Sequence, residues 1–214
     1  MTRIARLSQA KGSKKVDNNP TALAAKVKIR QNVIETIGRK AAVFDAFAGS
    51  GEMYSAVWKT AGAYAGCDMK RQRDDRLMFC ADNRRVLRAI DLSKFSIFDL
   101  DAYGFPWEAA IIISDRRRVA PGERIGMVFT EAGGISYRQN TVPIAITLLT
   151  GVRNRSVGLG RMRAQIFDRA LLGLTSRMNC TIERRWQAMA SRSSTGGPGG
   201  MQTIYCGVVL KGKG

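Results

Sequence analysis

The sequence predicts an α/β fold built on a mostly parallel, seven-stranded sheet with an antiparallel last strand. From about residue 41 onward, short apolar runs of strand type alternate with helical segments, which indicates parallel strands with helices on both faces. The last two strand-like runs differ, because a Gly/Ser loop joins them directly and makes them antiparallel. With 214 residues, 45% of them hydrophobic, the chain can bury a full core.

The predicted elements follow one another along the chain with short connections. The predicted strands are residues 41–49, 63–68, 76–83, 95–101, 123–132, 179–191 and 201–212. The predicted helices between them are residues 51–62, 83–91 and 107–118, and residues 137–176 are mostly helical with glycine breaks. No internal repeat interrupts this order, so we expect one domain.

The N-terminal part of the chain precedes this alternation. Residues 1–19 are polar and basic and predict a flexible arm. Residues 20–40 predict a helix that Asn19 or Thr21 caps, and residues 41–214 form the main domain. The apolar positions of this helix that we expect to face the core are Leu23, Val27, Ile34 and Ile37.

The charge of the chain is its strongest compositional feature. Lysine and arginine total 35 against 17 acidic residues, a net charge of +18. Such a surplus favours a polyanionic partner, nucleic acid ahead of acidic lipid, although a generally basic surface is the plain alternative. The arginines that we expect to contact nucleic acid are Arg116, Arg117, Arg118, Arg153, Arg155, Arg161 and Arg163.

Missing residue types exclude several kinds of chemistry. The sequence contains no histidine, which excludes Ser-His-Asp and Cys-His catalysis and argues against zinc catalysis. The four cysteines are widely spaced, so we expect no metal site and a reducing, cytoplasmic location. No apolar run approaches the roughly 18 residues of a membrane span, and no membrane association is expected.

A glycine loop follows the first predicted strand in "FDAFAGSGEM". Glycines at this turn let the backbone approach a ligand, and the next helix offers free N–H groups to it. The stretch lacks a complete dinucleotide-binding or P-loop motif, so a simple tight connection is the alternative. The residues that we expect to bind a cofactor here are Asp45, Phe47, Ala48, Gly49, Ser50 and Gly51.

Acidic residues also end the second and third predicted strands. Asp68, with Met69 after it, lies 17 residues beyond Gly51, a spacing typical of an acid that binds ribose hydroxyls. Asp82 or Asn83 is expected to meet the edge of an adenine base. Capping of the following helix is the alternative for each of these acids.

The fourth predicted strand ends in "FDLDAYGFPWE", with two aspartates two residues apart. Asp99 and Asp101 point to the same face of a strand. A metal pair is disfavoured, because one strand supplies only two of the six or more oxygens that a hard cation binds. Asp101 is either a reaction-site carboxylate or a cap for the helix after Pro106.

The order of these motifs over about residues 40–210 resembles the class I S-adenosylmethionine-dependent methyltransferases. "FDAFAGSGE" is similar to their first cofactor motif. "DLDAYG" is similar to the D-L-D-P-[YF]-G element of tRNA N2-guanine dimethyltransferases and, more loosely, to the [DNS]-P-P-[YF] element of adenine and cytosine amino-methyltransferases. Ala102 stands where those families have proline.

The resemblance implies a Rossmann-like fold and methyl transfer from S-adenosylmethionine to an exocyclic amine of a nucleic-acid base. For that reaction we expect Asp99 to face the cofactor, and the Asp101 carboxylate and Ala102 carbonyl to accept the N–H bonds of the amine. We expect Tyr103 to stack on a flipped base. RNA guanine N2 is favoured over DNA adenine N6 as the target. A non-catalytic nucleic-acid-binding protein on the same scaffold is the second class, and the oligomeric state stays open.

Overall fold

A computed structural model of the chain describes residues 19–72, 74–190 and 202–214. Most of the predicted basic arm, residues 1–19, lies outside the described residues. The first helix, α1, spans Pro20–Ile37. Its N-cap is Asn19, whose side chain accepts a hydrogen bond from the Thr21 amide at 2.9 Å, as the sequence predicted.

Seven strands form one sheet in the order β3-β2-β1-β4-β5-β7-β6. The strands are β1 (Ala42–Asp45), β2 (Ala63–Asp68), β3 (Met78–Cys80), β4 (Ile97–Asp101), β5 (Arg124–Glu131), β6 (Cys180–Ala190) and β7 (Thr203–Gly212). Strands β1 to β5 pair in parallel, whereas β7 runs antiparallel to both β5 and β6. The predicted mostly parallel, seven-stranded sheet with an antiparallel last strand is confirmed.

Helices cover both faces of this sheet, as its apolar strands require. The remaining helices are α2 (Glu52–Ala56), α3 (Asn83–Ala89), α4 (Trp107–Arg116), α5 (Gly134–Arg138), α6 (Ile144–Thr150) and α7 (Arg163–Arg177), with 3₁₀ turns at Trp58–Thr60 and Leu92–Lys94. Helices α1 and α2 pack on one face, and α3, α4 and α7 pack on the other. Within the described ranges, no helix is both long and apolar enough to cross a bilayer.

The buried stripe of α1 differs from the one that its apolar residues predicted. Leu23 is 38% exposed, and Val27 and Ile37 are only half-buried, so of the four predicted positions Ile34 alone is buried. Two cations, Lys26 and Arg30, are buried in the stripe instead. The buried residues of α1 are Ala22, Lys26, Ile29, Arg30, Val33 and Ile34.

The carboxyl ends of β1, β2, β3 and β4 meet at one edge of the sheet, which we call the carboxyl edge. Because these strands are parallel, the acids that end three of them, Asp45, Asp68 and Asp101, are brought to this edge. The first residue of β7, Thr203, also lies here, since β7 runs in the opposite direction. The fold therefore gathers distant motifs of the sequence at a single edge.

Candidate active site

A cleft of about 800 Å³ opens at the carboxyl edge, above β1, β2 and β3. This volume lies in the range of small-molecule and cofactor sites. The residues predicted from the sequence that line it are Phe47, Gly49, Ser50, Asp68, Met69, Asp82, Asn83 and Tyr103. The glycine loop, the two acidic strand ends and the tyrosine after β4 thus share one cavity.

Arg76 holds the glycine loop in place from the segment between β2 and β3. Its guanidinium donates to the carbonyls of Ala48 at 3.1 Å and Gly49 at 2.9 Å, and it forms an ion pair with Asp74. Gly51 has a φ of +88°, and a Cβ there would approach the Arg76 guanidinium carbon to 2.7 Å. The left-handed backbone conformation at position 51 therefore favours glycine, and the missing side chain leaves room for the Arg76 guanidinium.

The acids of the cleft are also bound to its backbone. Asp68 accepts hydrogen bonds from the amides of Gly49 at 3.1 Å and Lys70 at 2.7 Å, and its carboxylate still faces the cavity. The Asn83 side chain donates to the Ala46 carbonyl at 3.0 Å. These contacts tie the ends of β2 and β3 to the glycine loop.

Asp82 is the N-cap of α3, which was the alternative interpretation of this residue. Its side chain accepts from the Arg84 amide at 2.9 Å and forms an ion pair with the Arg84 guanidinium at 2.5 Å. The hydrogen bond from the Arg84 side chain lowers the pKa of Asp82 to about 2. Asp82 is therefore an ionised acceptor at the rim of the cleft.

Asp99 lies under the cleft, with its side chain directed toward α1. Its carboxylate is fully buried and accepts two hydrogen bonds from Arg30, at 2.6 and 2.8 Å, and one from the Trp58 indole at 2.7 Å. Burial raises the pKa of Asp99, while Arg30 and Trp58 oppose that rise by stabilising the charged form. This geometry conflicts with the predicted contact between Asp99 and a cofactor, because none of its surface reaches the cavity.

Asp101 ends β4 on the same face and is bound from α1. Its Oδ2 lies 3.1 Å from Nζ of Lys26 and 3.3 Å from Nη2 of Arg30. Burial acts to raise the pKa of Asp101, but the charges of Arg30 and Lys26 outweigh it, and the pKa lies below its ordinary value. Asp101 itself is not among the residues that line the cleft, whereas Tyr103, two positions later, is.

Asp45 completes this buried cluster from β1. It pairs in register with Asp99 and accepts hydrogen bonds from the Phe47 amide and the Tyr64 hydroxyl, each at 3.1 Å. Burial and the neighbouring Asp99 carboxylate raise the pKa of Asp45 well above its ordinary value, which favours its neutral form.

The wall of the cleft beyond β4 is aromatic. Tyr103 is 58% exposed and lines the cavity, and Phe105 lines it too while packing edge-on against Tyr137. Trp107 is fully buried and donates through its indole to Glu131, a carboxylate that Arg163 also binds. Burial raises the pKa of Glu131, against the hydrogen bond from Trp107.

Several solved structures share this architecture at low sequence identity. Trm1 from Pyrococcus horikoshii, in complex with S-adenosyl-L-methionine, is similar with a TM-score of 0.59 at 15% identity, over 91% of this chain and 56% of that one. The N-methyltransferase NodS from Bradyrhizobium japonicum WM9, in complex with S-adenosyl-L-homocysteine, gives 0.55 at 11% identity, over 93% and 91%. The chain has the class I methyltransferase fold. M. jannaschii TYW2, in complex with AdoMet, adds a TM-score of 0.53 at 10% identity, over 87% and 76%.

These likenesses are in structure and not in sequence. No family model and no curated protein matches the chain. The predicted Rossmann-like class I methyltransferase fold is confirmed.

Four residues predicted to bind a cofactor support the methyltransferase fold's cleft without lining it. Ala48 donates its amide to the Cys67 carbonyl and accepts from Arg76, and Gly51 caps α2. Asp45 and Asp99 lie in the buried cluster against α1. In this structure these four residues shape the loop and the strand ends, and their contacts with a ligand stay predictions.

The seven arginines predicted to contact nucleic acid fall into three groups. Arg116, Arg117 and Arg118 lie between α4 and β5, at the opposite edge of the sheet from the cleft. Arg117 is also buried, where it forms an ion pair with Glu123. A contact between these three arginines and nucleic acid would therefore lie away from the cleft, and it stays a prediction.

Arg163 forms the second group, because it is buried and bound to Glu131 and to the Gln202 carbonyl. The third group, Arg153, Arg155 and Arg161, is exposed in the segment between α6 and α7. This segment is bound to Asn140, after α5, and so lies at the carboxyl edge. Arg138, on α5, is exposed at the same edge and was not singled out in the sequence.

Three cations of the site were missed because each is buried against a partner far along the chain. Arg30 binds a residue 69 positions away, and Arg76 binds carbonyls 27 and 28 positions away. Lys26 was missed for the same reason. The sequence does contain one sign of these buried cations. Lys26 and Arg30 are one helical turn apart on the side of α1 that also carries apolar residues.

Proposed function

We propose that the protein transfers a methyl group from S-adenosylmethionine to an exocyclic amine of a nucleic-acid base, with guanine N2 in RNA favoured. The observation that carries the proposal is the meeting of four motifs at one cleft on a methyltransferase fold: the glycine loop, Asp68, the pair Asp82–Asn83 and the "DLDAYG" turn. Each of the solved structures named above contains S-adenosylmethionine or its demethylated product, which supports the choice of cofactor.

The donor set of the cleft fits such a cofactor. The Asp68 carboxylate faces the cavity as an acceptor for ribose hydroxyls, and the Gly49 and Ser50 backbone lies open beside it. Phe47 and Met69 provide apolar surface for a purine ring. Asn83 keeps its carbonyl oxygen for a base edge, because its amide nitrogen is already bound to Ala46.

The chemistry asks little of the protein beyond position and charge, which suits a chain without histidine. S-adenosylmethionine, when bound, supplies an electrophilic methyl whose bond to sulfur breaks, leaving its electron pair on sulfur, as the bond to nitrogen forms. Asp101 accepts the N–H bonds of the amine and takes the proton that the nitrogen loses. Tyr103, exposed at the mouth of the cleft, stacks on the target base.

The turn after β4 is closed by a hydrogen bond where the related families have proline. The Ala102 amide donates to the Leu100 carbonyl at 2.9 Å, a bond that proline has no N–H to form. The Gly104 carbonyl accepts from the Ala132 amide at 2.8 Å and ties the turn to the end of β5. We infer that these bonds stiffen the turn in place of the proline ring.

Asp68→Ala is expected to weaken S-adenosylmethionine binding by about 10- to 100-fold, since hydrogen bonds to a charged group contribute roughly 1.5–3 kcal/mol. Isothermal titration calorimetry measures the change. Glu35→Ala is the matched control, because Glu35 is an exposed acid on α1 that pairs with no described residue. Equal affinity in all three proteins would place the cofactor elsewhere.

Replacing Arg153, Arg155 and Arg161 with glutamine is expected to make RNA binding less dependent on salt. Each phosphate contact contributes ~0.7 to the slope of log K against log salt on a single strand, so the slope falls by about 2. Fluorescence anisotropy at several salt concentrations measures it. The control replaces three exposed cations at the opposite edge, Lys94, Arg118 and Lys211; an equal loss from it would contradict binding at the carboxyl edge.

Assays of methyl transfer and of cofactor binding also distinguish two other functions. Transfer to DNA and not to RNA would identify an adenine N6 methyltransferase, which shares the glycine-loop motif. Salt-dependent RNA binding without any heat of cofactor binding would identify a binding protein on a methyltransferase scaffold.

A further inference from the structure

Lys26 is a buried cation on the side of α1 that packs on the sheet. Only 7% of its side chain is exposed, and its ammonium group lies 3.1 Å from Asp101 Oδ2 and 6.0 Å from the centre of the Tyr205 ring. An apolar residue here would pack against the sheet without the cost of desolvating a charge. The position of this lysine therefore needs an explanation beyond packing.

Lys26 and Arg30 bind the aspartates of β4 in different ways. Arg30 holds Asp99 with two hydrogen bonds and touches Asp101 only at 3.3 Å, so it chiefly neutralises the deeper carboxylate. Lys26 pairs with Asp101, the carboxylate nearer to the surface. Asp101 has 14% of its side chain exposed, whereas Asp99 has none.

We propose that Lys26, through its ion pair, holds the Asp101 carboxylate in the charged, hydrogen-bond-accepting form at the methylation site, and is a positioning residue for the reaction. The proposal rests on the proposed function, in which Asp101 accepts the N–H bonds of the target amine. A protonated Asp101 would present a donor to an amine that needs an acceptor, so the ion pair decides whether the site can act.

The groups around Asp101 set the sign of the effect. They come from α1, from β1, from β4 itself, from β5 and from β7, and they are Lys26, Arg30, Asp45, Asp99, Thr130 and Tyr205. The two cations and the hydrogen bond with Thr130 favour the charged form of Asp101, and burial opposes it. Removing Lys26 leaves Arg30 facing both Asp99 and Asp101, so the pKa of Asp101 rises.

The test compares Lys26→Met with Lys26→Arg and with Lys28→Met, a matched control on the exposed side of α1. The pH dependence of kcat is measured for each protein, and the Asp101 side-chain carboxyl is titrated by NMR in the same proteins. As the pH is lowered, we expect kcat of the Lys26→Met variant to begin to fall at a higher pH than kcat of the wild type. A rise of one pKa unit corresponds to about a tenfold further loss on the acid limb.

Lys26→Arg is expected to restore the wild-type profile in large part, and Lys28→Met to leave it unchanged. An Asp101 titration that is the same in the wild type and in a folded Lys26→Met protein overturns the proposal, as does a loss of kcat that is equal at all pH values. If the NMR titration shifts but the wild type methylates no nucleic acid, the proposed function fails and the ion pair stands.

Discussion

Asp101→Asn is expected to lower kcat for methyl transfer by about 100-fold or more, the scale of a lost acid–base group, and to leave cofactor affinity nearly unchanged. The asparagine keeps the size of the side chain but loses the charge that Lys26 and Arg30 hold in place. Its amide also offers the target amine fewer acceptor positions. Incorporation of labelled methyl groups into RNA measures the rate, and calorimetry measures the affinity.

The control for this variant is Glu35→Gln, which makes the same chemical change at an exposed position of α1. Thermal unfolding of both proteins shows whether the loss of activity is a loss of structure. Full activity in a folded Asp101→Asn protein would remove Asp101 from the reaction.

Arg30→Met is expected to destabilise the fold by about 3–5 kcal/mol, the usual result of removing one partner of a buried ion pair. The guanidinium is 1% exposed and is bound to Asp99 through both carboxylate oxygens, so its loss leaves a buried charge without compensation. Because a domain of this kind has about 5–15 kcal/mol of total stability, much of the protein would lose its structure on mild heating. Urea unfolding followed by circular dichroism measures the effect.

Arg39→Met, an exposed arginine just beyond α1, is the control and is expected to change stability by less than about 0.5 kcal/mol. Combining Arg30→Met with Asp99→Asn should cost less than the sum of the two single changes, since the uncompensated charge is then removed as well. Additive costs in that cycle would show that Arg30 and Asp99 do not stabilise each other.

Much of the fold could be predicted because its signals are local. The strand β4 ends at Asp101, β2 ends at Asp68 and Asn19 caps α1, each within the short stretch of sequence that predicted it. Apolar runs between turn residues depend on neighbours only a few positions away. The direct loop between the last two strands likewise determined their antiparallel pairing.

The electrostatics of the site could not be predicted in the same way, because its ion pairs are not local. Sequence patterns predict that charged residues lie at the surface. That prediction is right for Arg153 but wrong for Arg117 and Arg163, each of which is buried in an ion pair with a glutamate. For the same reason, the burial of Arg30 was not predicted. Asp99, expected at the cofactor, is instead the buried partner of that arginine.

Mass spectrometry of nucleosides tests directly whether the protein methylates an exocyclic amine of a nucleic-acid base. The protein is incubated with S-adenosylmethionine and unmethylated total nucleic acid, which is then digested to nucleosides. These nucleosides are compared with those from a parallel reaction with the Asp101→Asn variant. We expect a new base that carries a methyl group on an exocyclic amine, N2-methylguanine in RNA, and we expect the control to lack it. Nucleosides that stay unmodified while S-adenosylmethionine fails to bind would contradict it.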